Sequence, residues 1–110
     1  MPAWKLGTAN IDNERFGAIV ESWRIKLSEI EFPHGIKSTS RINDTFQGNG
    51  FFLKYITTTF PNTLVLATEI AKVYCDEYSG VIFPEVVSIV KEQLKELIPL
   101  QAKEFVKAEL

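Results

Sequence analysis

Nucleophilic catalysis in this chain would need Cys75 or a serine held beside a base, and His34 is the only histidine. His34 lies in the segment Phe32-Pro33-His34-Gly35, whose Pro and Gly read as a turn, so its spacing to either nucleophile carries no chemical message. Cys75, the only cysteine, lies beside an apolar stripe where an inert, half-buried thiol is the expectation. With no Cys-x-x-Cys or His-x-x-x-His pair, zinc spacing is missing, and neither a metal site nor a cofactor is expected. The acids Asp76-Glu77, Glu92 and Glu96 read as solvated surface, the last two interleaved with Lys91 and Lys95, rather than as a hard-cation loop.

Three further chemistries are weaker still. An amino-terminal proline can serve as a base, but Pro2 follows Met1 here, so its nitrogen is an amide without a basic lone pair. Gly48-Asn49-Gly50 has neither the Gly-Lys-Ser/Thr of a phosphate-cradling loop nor the third glycine of a dinucleotide fingerprint, and a tight turn explains it. The run Gln47 to Tyr55 faintly echoes the strand on which RNA-binding sheets stack bases. Gln47 stands where a basic residue is needed and Asn49 where a ring is needed. Twelve basic against fourteen acidic residues give a net charge of -2, which offers no field for a phosphate backbone, so nucleic-acid binding is disfavoured.

If a ligand pocket forms between sheet and helices, His34, Arg41 and Tyr55 are the polar groups that residue type singles out for it. Arg41 and Lys54, read as lying on facing strands, could reach an anion together, although two such charges more often meet solvent.

The elements that must position these residues are read from periodicity. Phe16, Ile19, Val20, Trp23, Leu27 and Ile30 recur at spacings of three and four after the cap candidates Asp12 and Asn13, which predicts a helix over about residues 12–31. Ala3 to Leu6 reads as a short first strand. Alternation from Ile36 to Ile42 and the aromatic, β-branched run Phe51 to Phe60 read as two strands joined through Gln47-Gly48-Asn49-Gly50, a β-hairpin. Leu66, Ile70, Val73 and Tyr74 suggest a second helix that ends before Ser79-Gly80, and Val81 to Phe83 a short added strand. Pro84 opens a third helix carrying Val87, Val90, Leu94, Leu97 and Ile98, which Pro99 interrupts before a last short helix over residues 100–110.

The fold class expected is therefore α+β: one small domain over residues 1–110, an antiparallel sheet or hairpin packed by three to four helices. The element order reads as ferredoxin-like βαββαβ with an extra C-terminal helix. The apolar share of 45% suits a folded chain, and 110 residues suit one core rather than two. No apolar run approaches the roughly 18 residues of a membrane span, and the start of the chain lacks a secretory pattern. With a single cysteine, a reducing cytoplasmic location is the expectation.

Thirteen aromatic residues remain to be placed, and five of them fall between Phe46 and Phe60. In an extended chain Phe51, Leu53 and Tyr55 would face one way and Phe52, Ile56 and Phe60 the other, so one domain could cover only one of the two faces. The expectation is a non-catalytic interaction module that self-associates or docks on a protein through Phe52, Ile56 and Phe60. A small-molecule-binding protein or small enzyme with its pocket between sheet and helices is the alternative.

Overall fold

The computed structural model describes residues 2–110. Its elements run β1 (Trp4–Gly7), α1 (Asn13–Ser28), β2 (Ser40–Ile42), α2 (Phe51–Thr59), β3 (Ala67–Ile70) and α3 (Pro84–Glu109). This is a small α+β domain in which three helices accompany a three-stranded mixed sheet of order β2-β1-β3. β1 pairs parallel to β2, with Trp4 opposite Ser40 and Leu6 opposite Ile42, and antiparallel to β3, with Trp4 opposite Ile70 and Leu6 opposite Thr68. Parallel neighbours need a crossover, and α1 supplies it.

α1 forms where the periodicity places it. The Asp12 carboxylate accepts from the backbone N–H groups of Glu14 and Arg15, satisfying two donors that the first turn leaves free. Phe16, Ile19, Val20, Trp23 and Leu27 are buried along one face, which packs on the side of β1 that carries Trp4 and Leu6. Two buried serines lock this layer: Ser38 accepts from Trp4 Nε1 at 2.9 Å and donates to the Leu27 carbonyl, while Ser40 donates to the carbonyl of Arg24.

Several expectations are corrected. Residues 51–59 are a helix, not the second arm of a hairpin, and β2 pairs with β1 in parallel, so the sheet is mixed rather than antiparallel. Loop 43–50 is committed elsewhere: Gly7 and Gly48 approach so closely that a Cβ on Gly7 would fall 2.3 Å from the Gly48 nitrogen. Gly48 has φ +72°, and Ala9 donates to the Gln47 carbonyl. The chain then enters α2 at Gly50, and the hydroxyls of Thr57 and Thr58 donate back to the carbonyls of Leu53 and Lys54.

The second expected helix does not form. Leu66, Thr68 and Ile70 alternate instead, and β3 occupies the middle of that segment. Residues 81–83 contribute only the isolated bridge between Cys75 and Ile82. Pro99 does not end α3, which continues through it to Glu109, so there is no separate last helix. The resulting order is βαβαβα in place of the expected βαββαβ.

Candidate functional site

α3 is fastened near both ends, and in its middle Val90, Leu94 and Leu97 are half-buried against the core. At its start Val86 is fully buried, the His34 and Phe83 rings lie 5.5 Å apart, and His34 pairs with the Glu85 carboxylate. That contact holds Glu85 below its ordinary pKa. Toward its end Gln101 donates to the Ile19 carbonyl at 2.9 Å and accepts from Lys26 Nζ at 2.8 Å, so an amide on an otherwise apolar stripe fastens α3 to α1. Lys26 also reaches Glu104 at 3.2 Å, Phe16 and Phe105 stack 6.0 Å apart, and Arg15 pairs with Glu109.

Between these two anchorages lies an open apolar cleft of about 570 Å³. Trp4, Thr68 and Ile70 form its sheet wall, Ile19 and Trp23 come from α1, and Val90, Leu94, Ile98 and Phe105 come from α3. Leu64 and Leu66 close the rim. None of the lining side chains is ionisable. The polar groups present are already engaged: Trp23 Nε1 donates to Thr68 Oγ1 at 3.0 Å, the Thr68 hydroxyl donates to the Leu66 carbonyl at 2.9 Å, and Gln101 is held as described. The cleft is a bare hydrocarbon and indole surface with no acid, base or nucleophile to react with a substrate.

The charged cluster beside it is structural. The Glu104 carboxyl is lowered first by the Ser22 hydroxyl and then by Lys26 and Gln101, while burial acts in the opposite direction. Its Oε2 is buried without a hydrogen bond of good geometry among the described residues.

A second apolar surface is α2. No α2 residue is fully buried; Leu53 and Thr57 lean toward Gly7, Ile11 and Val65, Ile56 is half-buried, and the remainder is exposed. Phe52 and Ile56, four residues apart, share one side of the helix and Phe60 follows at its C-cap in non-helical backbone; the alternation that singled the three out does not exist. Phe51 is 86% exposed, Phe52 70% and Phe60 52%.

No family model, curated protein or solved structure matches this chain.

His34, Arg41 and Tyr55 lie apart on the loop after α1, on β2 and on α2; all three are exposed, and none lines the cleft. Arg41 and Lys54 do not face each other across strands, because Lys54 belongs to α2. The helical state of residues 51–59 likewise removes the strand on which an RNA-type ring platform would be displayed. Cys75 is half-buried and takes part in the bridge to Ile82 through its backbone. Among the described residues, no three His, Cys, Asp or Glu side chains stand close enough to hold a metal ion. Among the described residues, no helix is long and apolar enough to cross a membrane. Composition offered no pointer to the cleft; the available one was positional, Gln101 recurring in register with Val90, Leu94 and Ile98 on a face that is otherwise hydrocarbon.

Proposed function

We propose that this chain is a non-catalytic protein-interaction module that associates with a second copy of itself through α2. The observation that carries this reading is the isolation of that helix: nine residues long, four of them aromatic or Ile, with no residue fully buried against the rest of the chain. Helices shorter than about 12–15 residues are marginal in water by themselves and hold their shape through packing of an apolar face. The face made by Phe52, Ile56 and Phe60 has such packing only when another surface covers it.

The exposed area is in keeping with a covering protein partner. The chain exposes 7222 Å², against about 6,200 Å² for a monomer of its mass. The surplus, about 1,000 Å², is close to the roughly 800 Å² per partner that a standard protein interface covers. Among the described residues thirteen large hydrophobic side chains are exposed while ten hydrophobic residues are buried. The only charge on α2 is Lys54, so two copies of the face meet with little electrostatic cost.

Light scattering on the wild type and on Phe52→Lys tests the proposal. A wild-type dimer that the substitution converts to monomer supports it. A wild type that is monomeric at high micromolar concentration, or a variant that dimerises equally well, overturns it.

A further inference from the structure

We infer that the cleft between α3 and the sheet is a binding site for one uncharged, hydrocarbon-rich small molecule, aromatic or acyl in character, distinct from the α2 surface. Its volume of about 570 Å³ falls inside the roughly 300–1,000 Å³ range of pockets that enclose small ligands.

Hydrogen bonding excludes an extended peptide. A strand laid in the cleft would bring backbone N–H and C=O groups against walls whose polar atoms are spoken for, with Trp23 bonded to Thr68, Thr68 to Leu66, and Gln101 to Ile19 and Lys26. Each unmatched group would carry its full desolvation penalty. A charged ligand fails for the same reason, because no ionisable side chain lines the site. An occupant without hydrogen-bonding demands, touching the rings of Trp4, Trp23 and Phe105, meets none of these penalties.

The chain also provides its own reporter, since its only two tryptophans both line the cleft. The uncharged dye N-phenylnaphthylamine is titrated into the full chain while energy transfer from tryptophan is followed, in parallel with its sulfonated analogue. Saturable transfer at one dye per chain is expected, with the sulfonated dye binding at least tenfold more weakly. Ile98→Glu sets a charge at the mouth on an exposed helical position and lowers affinity at least tenfold. Val87→Glu, on the same helix but outside the cleft, leaves affinity unchanged. Circular dichroism checks that both variants are folded. Absence of saturable transfer, equal affinity for the two dyes, or equal losses in the two variants overturns the inference.

Discussion

The indole N–H of Trp23 donates to Thr68 Oγ1 at 3.0 Å, joining α1 to β3 across the floor of the cleft. Thr68→Val keeps the shape of the side chain and removes the acceptor, leaving the indole N–H in an apolar wall without a partner. The expected loss of stability is about 1–3 kcal/mol, measured by urea unfolding. A variant as stable as the wild type would mean that the bond contributes nothing.

Two glycines should respond in opposite directions to the same substitution. Gly7→Ala drives a methyl group into the Gly48 backbone and is expected to cost about 1–3 kcal/mol or more, because neither strand nor loop can retreat. Gly17 lies inside α1 with open space where its Cβ would stand, so Gly17→Ala should stabilise by about 0.5–1 kcal/mol. Thermal melts of the pair decide it; shifts in the same direction would contradict the packing described.

Pro99 lacks the N–H that would bond the Lys95 carbonyl, and its ring crowds that turn of α3. Pro99→Ala is expected to raise stability by about 1–3 kcal/mol in the same melts. Destabilisation instead would indicate that the local geometry imposed by proline is needed for α3 to reach its two anchorages.

Acid should weaken the attachment of α3. Glu104 and Glu85 both have folded pKa values lowered below their ordinary ones, so each stabilises the fold at pH above the ordinary carboxylate range and loses that contribution as pH falls through the lowered value. Glu104→Gln is therefore expected to be less stable than the wild type near neutrality and equally stable once the carboxyl is protonated, as read by urea midpoints across an acid series. A deficit that does not change with pH would assign the effect to packing rather than charge.

What could be read from the sequence follows from how many cues agreed. For α1 they coincided: the Asp12 cap, spacing of three and four from Phe16 to Leu27, and a Pro-Gly break soon after. β1 was legible as a short apolar start whose both sides are buried. For residues 51–59 the aromatic and β-branched content favoured a strand, a preference that depends on a neighbouring strand to pair with. That preference is context-dependent, and this segment pairs with no strand of the sheet but forms α2. β3 was hidden because Leu66 and Ile70 fit spacing of four as well as alternation through Thr68. The cleft left only one local trace, Gln101 in register with Val90, Leu94 and Ile98, because it arises from how α3 is fastened at both ends rather than from composition. Phe52 and Ile56 share a side for a helical reason, not the extended one that first drew notice to them.

The central claim, that α2 depends on a second copy of the chain, is tested most directly by hydrogen exchange of the α2 amides over a dilution series. Protection over Leu53–Phe60 should fall as the protein is diluted, while protection over β1 stays constant. Protection of α2 that is independent of concentration would contradict the account, because the helix would then be held by its own chain alone.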